Sequence, residues 1–125
     1  MIKDTELTFP VPREILLNAN QPIHYTVKGQ RVLALRSMSC NLAKSLKVPQ
    51  YPKCEVIVQV SPPTRRRLDP PNLYPTVKPL VDGLTDAGVW VDDDWQHLIK
   101  MSFVYGGPSK ISGVFIIKLT IKEVK

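Results

Sequence analysis

Three aspartates stand side by side at Asp92, Asp93 and Asp94, and like charges a few ångströms apart repel by about 1 kcal/mol even in water. A divalent cation would compensate them, because Mg²⁺ takes carboxylate oxygens and keeps several waters of its own. A solvated acidic turn is the other reading, since charge runs are commonly surface features. Asp69 is a second candidate ligand: Pro70 and Pro71 follow it, and a residue before proline is held extended, so the carboxylate is presented from a stiff backbone. The same Asp-Pro pair is also an ordinary way to start a turn. Just before it, Arg65, Arg66 and Arg67 offer forked donors that match phosphate oxygens, or else a solvated basic face. Lys78 stands four residues before Asp82, the weaker order for such a helical pair, and near the positive end of the helix dipole. Local stability does not favour a cation there, whereas a phosphate would; a merely tolerated surface lysine is the alternative. His24 and His97 have no partner at ligand spacing and read as ordinary polar residues. Trp90 and Trp95 flank the aspartates and are expected to pack in the core rather than stack on bases.

These groups need elements to hold them. Thr5 to Val11 reads as a short strand, followed by an exposed polar loop through Asn18, Asn20 and Pro22. A helix is expected from Lys28 to Lys47, with Val32, Leu35, Leu42 and Leu46 at helical spacing and Pro49 and Pro52 ending it. Cys54 to Val60 alternates as a strand. From Ser61 to Pro79 six prolines predict a stiff, irregular loop. Pro79 would break a helix begun as early as Asn72, so the second helix is expected from Val77 to Asp86, with Pro79 in its first turn and Gly88 as its left-handed stop. Val89 to Val91 reads as a short strand, and Trp95 to Tyr105 and Val114 to Val124 as two longer ones joined through Gly106, Gly107 and Pro108 in a terminal hairpin.

Composition bounds the function. With 22% charged and 43% hydrophobic residues in 125, the chain lies near the globular average and far from disordered compositions; one domain over residues 1–125 is expected. Seventeen Lys and Arg against eleven Asp and Glu give +6, a balance that favours polyanionic partners without naming one. Cys40 and Cys54 form neither a disulfide framework nor a metal-binding spacing, so a reducing cytoplasm is expected and zinc is not. No apolar run approaches the ~20 residues of a membrane span, and MIKDTELTFP lacks the basic and apolar regions of a signal peptide. No membrane partner is expected.

Taken in order, Arg65-Arg66-Arg67-Leu68-Asp69-Pro70-Pro71-Asn72, Lys78, Asp82-Gly83-Leu84, Ala87-Gly88 and Asp92-Asp93 resemble the RusA family of Holliday-junction resolvases. The resemblance is close over about residues 61 to 105. The loop with Asn18, Asn20 and Tyr25 looks like the asparagine-bearing N-terminal loop of that family. It implies an α+β fold, a compact mixed sheet packed with two main helices. It further implies a Mg²⁺-dependent, homodimeric endodeoxyribonuclease of bacteria or their phages, acting in recombination and repair, cytoplasmic in the cell or infected host. Four-way junction or other branched DNA would be its substrate, nicked in pairs.

By position, Asp69 matches the first family aspartate, Asn72 the following asparagine, Lys78 the family lysine, and Asp92 and Asp93 the paired acidic residues, with Asp93 the better match to the essential one. Pro71 departs from the pattern, because many members carry a second aspartate there. The implied catalytic set is therefore Asp69, Asp92, Asp93 and Lys78. Asp69, Asp92 and Asp93 would hold Mg²⁺, with Asp82 as an auxiliary carboxylate. Arg65, Arg66, Arg67, Asn72, Lys78 and Lys100 would contact DNA. A catalytically weak junction-binding module is the alternative that Pro71 leaves open.

Overall fold

The computed structural model describes residues 1–125. In chain order the strands are β1 (Thr5–Pro12), β2 (Cys54–Ser61), β3 (Leu98–Tyr105) and β4 (Val114–Glu123). The helices are α1 (Tyr25–Ser45) and α2 (Tyr74–Asp86), with short 3₁₀ turns at Arg13–Ile15 and Pro70–Leu73. The result is the expected α+β fold: a four-stranded mixed sheet packed with two helices. No helix is long and apolar enough to cross a membrane.

Strand order is β1-β4-β2-β3. β4 runs antiparallel to both β1 and β2, whereas β3 runs parallel to β2. Parallel strands need a long crossover, and α2 supplies it between β2 and β3. Alternation sends Leu7, Phe9 and Val11, Val56, Val58 and Val60, and Phe115, Ile117, Leu119 and Ile121 to one buried face. The apolar stripe of α2, Val77, Leu80, Val81 and Leu84, joins the same core. α1 buries only Leu35, Ser39 and Ala43, a narrow stripe of mostly small residues that lets it lie close on α2. Ser39 Oγ donates to the Leu80 carbonyl at 2.6 Å, and the Gly83 backbone leaves no room for a side chain beneath the Arg36 carbonyl.

The terminal hairpin is corrected: β3 and β4 are not neighbours, because β2 lies between them. Gly106 N–H donates to the Val60 carbonyl, so the end of β3 stays on β2 while residues 107–113 carry the chain across to its far side. Val89 to Val91 forms no strand. Val89 N–H instead closes α2 on the Leu84 carbonyl, and its own carbonyl takes a bond from Tyr51 N–H. β3 begins at Leu98 rather than Trp95, because the Asp94 carbonyl accepts from the N–H groups of both His97 and Leu98 in a turn.

α2 begins at Tyr74, three residues earlier than expected, and so claims the end of the stretch read as loop. Pro75 occupies the first turn, where no N–H is needed. Pro79 then falls inside the helix and removes the bond to the Pro75 carbonyl, a loss set against its burial on the inner side of α2. α1 likewise begins at Tyr25 rather than Lys28, because His24 Nδ1 accepts from Thr26 N–H at 3.3 Å and caps it. Trp90 is buried, with its indole N–H on Thr85 Oγ1, but Trp95 is 78% exposed and is no core residue.

Candidate active site

Tyr74, Lys78 and Val81 recur on one face of α2, and they form one wall of a cleft of about 240 Å³ whose other wall is Asp93 and the start of β3, Leu98 to Met101. Lys78 Nζ donates to Asp82 Oδ1 at 2.8 Å and to Asp93 Oδ2 at 2.5 Å. Helix spacing brings the first carboxylate; the turn after α2 brings the second. Asp92 Oδ1 accepts from Asp93 N–H at 2.8 Å, which turns the Asp92 carboxylate to holding the loop. Asp94 does the same further on, accepting from Gln96 N–H and pairing with His97 Nδ1 at 2.6 Å. The three adjacent aspartates are therefore parted by their bonding: Asp93 faces the cleft, and Asp92 and Asp94 shape the turn.

Charge follows geometry. Burial works against the Lys78 ammonium, but its bonds to Asp82 and Asp93 outweigh that and raise its pKa above the ordinary lysine range. The bond from Lys78 holds the Asp93 carboxyl below the usual carboxylate range, against partial burial and with help from Asp92. Lys100 lies in the same cleft, where a second cation faces whatever anion enters.

Asp69 lines a different cleft, with Asn72, Arg66, Arg67, Asn18, Asn20 and Gln21. Ala19 N–H donates to the Asn72 carbonyl at 2.9 Å, which pins the asparagine-rich loop against the Pro70–Leu73 turn. Thr76 Oγ, buried, donates to the Leu17 carbonyl and accepts from Leu17 N–H, anchoring the same loop to α2. Arg66 extends over the ring of buried Phe115, 5.7 Å from its centroid, a cation–π contact that fixes its direction. Arg65, Arg66 and Arg67 also border an open groove with Leu68 and Tyr105. Tyr25 is exposed at the start of α1, outside both clefts.

Most of the expected residues thus fall into two groups, Lys78, Asp82, Asp93 and Lys100 in one cleft and Asp69, Asn72, Arg66 and Arg67 in the other, while Arg65 borders only the open groove. Asp92 belongs to the first only as a brace. The sequence reading missed the Asp94–His97 pair, although its i,i+3 spacing was visible. It also missed Tyr74, Val81 and Met101 as cleft walls, which no local signal marks.

Asp82 and Asp93 already direct oxygens at one cation, and Mg²⁺ is held by as few as one or two carboxylates with water completing its shell, so this pair fits. The fuller set does not form within the chain, where no three acidic, His or Cys side chains converge.

No protein-family model and no curated protein matches the chain. Among solved structures it is similar to the hydrogenase maturation protein HypE in complex with ATP, at 13% identity and TM-score 0.33, over 100% of this chain and 31% of that one. Escherichia coli HypE gives 14% identity and TM-score 0.32, over 98% of this chain and 33% of that one. The chain spans about a third of the length of these structures, and overlap at this level carries no argument about fold or activity.

Proposed function

We propose that this chain is a Mg²⁺-dependent, structure-selective endodeoxyribonuclease that resolves four-way DNA junctions by paired nicks, working as a homodimer in the cytoplasm. The observation that carries the reading is the cleft in which one ammonium, Lys78, lies between two carboxylates, Asp82 and Asp93, beside Lys100. Phosphodiester hydrolysis needs such a mixture: carboxylates for a metal, and cations for the phosphate.

Mg²⁺, when bound, supplies an activated water and neutralises phosphate charge in an in-line attack. Asp93 is the residue best placed to hold it, with Asp82 beside it. Lys78 donates to a phosphate oxygen as negative charge develops there. Arg65, Arg66 and Arg67 hold backbone phosphates along the open groove, and Asn72 with Asn18 and Asn20 lines the path beside Asp69. The net charge of +6 draws the polyanion in.

A second copy would suit a four-way junction, since two equivalent sites cut two equivalent strands. The two edges of the sheet support it. β1 is guarded by Pro10 and Pro12, which cannot donate to a neighbouring strand. β3 has no proline and carries exposed Ile99, Val104 and Tyr105, flanked by exposed Val91 and Trp95, the marks of an edge that meets a partner.

One observation favours a second reading, a junction-binding module of weak catalytic power: Asp69 and Asp93 line separate clefts. Incubation of a mobile four-way junction with the protein in Mg²⁺, and again in excess EDTA, separates the two. Linear nicked duplexes in Mg²⁺ alone support the nuclease, and binding without cutting in either buffer supports the module.

A further inference from the structure

Three of the chain's four asparagines, Asn18, Asn20 and Asn72, line one cleft together with Gln21, although Asn72 is far from the others in sequence. The backbone fixes their places. Asn18 Oδ1 accepts from Asn20 N–H and the Asn18 carbonyl from Gln21 N–H, at 2.8 and 3.1 Å, which closes a tight turn. Ala19 N–H on the Asn72 carbonyl and Asn72 N–H on the Asp69 carbonyl, both at 2.9 Å, lock that turn to the segment opposite. Turn chemistry accounts for Asn18 but not for the other three, because the carboxamides of Asn20, Gln21 and Asn72 form no hydrogen bond within the chain.

A carboxamide carries a donor and an acceptor side by side. A phosphate oxygen only accepts, so it would use half of each group, whereas the edge of a nucleobase presents donors and acceptors together and matches the pair. The cleft also holds Asp69, whose charge repels a phosphate and accepts from an amino group. Leu68, partly buried against the core, is the one apolar side chain of the lining, a surface on which a planar ring can lie. Arg67 borders the same cleft, its guanidinium suited to the phosphate of a nucleotide or the face of its base. At about 360 Å³ the space lies at the small end of the range for small-molecule sites, roughly 300–1,000 Å³, and suits one base rather than a duplex.

Resting on the reading of this chain as a junction nuclease, we propose that the cleft takes a single unpaired base from the branch point and reads it, with Asn20, Gln21 and Asn72 as specificity-determining residues. A base that lacks a partner there leaves its stack at least cost. Adenine, cytosine and guanine each carry an exocyclic amino group, whereas thymine has only carbonyls and a methyl group around its ring N–H. Asp69 accepts from the amino group and opposes the carbonyls, so an amino-bearing base is selected and thymine is rejected. The choice is made apart from Lys78 and Asp93, which line the other cleft.

The test is equilibrium binding, by fluorescence anisotropy in EDTA so that no strand is cut, to four-way junctions that differ only at one unpaired branch-point position. That position holds adenine, cytosine, guanine, thymine or an abasic sugar. Wild type should bind the amino-bearing junctions about 5-fold or more tightly than the thymine and abasic ones, the lower end of what one bidentate base contact gives. Asn20→Ala with Gln21→Ala, checked by circular dichroism to be folded, should bind all the junctions alike, at the abasic level. Asp69→Asn should lift the penalty on thymine. Arg65→Ala, outside this cleft, should weaken every junction equally and keep the preference. Base-blind binding by wild type, thymine bound best, a preference that survives in the Asn20→Ala/Gln21→Ala protein, a thymine penalty that survives Asp69→Asn, or no junction bound at all each overturns the base pocket. The nuclease reading fails separately: base-dependent binding with junctions left intact in Mg²⁺ removes the nuclease and keeps the pocket, whereas paired nicks with base-blind binding do the reverse.

Discussion

Gly83 lies on α2 beside Asp82, where α1 crosses it, and it sets how closely the two helices approach. A Cβ added there would stand 2.3 Å from the Arg36 carbonyl oxygen, 2.8 Å from Ser39 Cβ and 2.9 Å from Cys40 N. Two of the three are backbone atoms of α1 and the third is fixed to that backbone, so no side-chain rotation relieves the clash. Gly83→Ala must instead push α1 outward by nearly 1 Å, breaking the 2.6 Å bond from Ser39 Oγ to the Leu80 carbonyl. Overpacking of this kind costs up to about 3 kcal/mol. Alanine in a helix interior returns about 1 kcal/mol relative to glycine, which leaves a net loss of up to about 2 kcal/mol. Gly29 supplies the control, because it lies inside α1 with nothing within 4 Å of its added Cβ. Gly29→Ala should therefore stabilise, by up to about 1 kcal/mol. Urea unfolding monitored by Trp90 fluorescence measures both, with the slope expected to stay constant. Equal stabilisation by the two substitutions would refute the reasoning, since helix propensity alone would then govern both sites.

Because its bond from Lys78 holds the Asp93 pKa below its unfolded value, Asp93 adds stability above about pH 4, lost as pH falls through the folded pKa. The stability gap between wild type and Asp93→Asn should accordingly shrink on acidification below that point, as followed by thermal unfolding across pH. Replacing Arg65, Arg66 and Arg67 with alanine should weaken binding to many DNA shapes and flatten its salt dependence, the log–log slope falling by about 0.9 per lost phosphate contact; an unchanged slope removes them from the interface. Trp95→Glu, just before β3, with Val104→Glu on it, both exposed, should convert the proposed dimer to a monomer in sedimentation without loss of helicity, and an unaltered dimer would move the interface elsewhere.

Most of the elements were legible in the sequence because their signals are local. Alternation at Cys54 to Val60 and the apolar stripe of Val77, Leu80, Val81 and Leu84 each mark an element within a few residues, and Gly88, at φ 82°, marks a helix end. Strand order is set by non-local pairing, so Gly106, Gly107 and Pro108 looked like a hairpin turn while β2 separated the strands they join. Pro79 misled for a related reason: its missing hydrogen bond is visible in the sequence, whereas the burial that offsets it is not. At the site, the residue types were legible and their partnerships were not. Lys78 and Asp82 could be paired from helix spacing, but Asp93 enters that pair through a turn whose course depends on how Asp92 and Asp94 bond to the backbone. Adjacent aspartates in sequence gave no sign that only Asp93 would face the cleft, nor that Asp69 would sit with the asparagines of a loop some fifty residues earlier in the chain.

The most direct measurement of the central claim pairs cleavage with binding for Asp93→Asn, on a mobile four-way junction in Mg²⁺, with wild type alongside. Removing one negative charge from the cleft eases the approach of phosphates, so the variant should bind the junction as tightly as wild type or slightly more so while producing no nicked duplex, whereas wild type produces paired nicks. Cleavage by folded Asp93→Asn at the wild-type rate, or intact junctions with wild-type protein, would contradict the assignment of this cleft as a nuclease site.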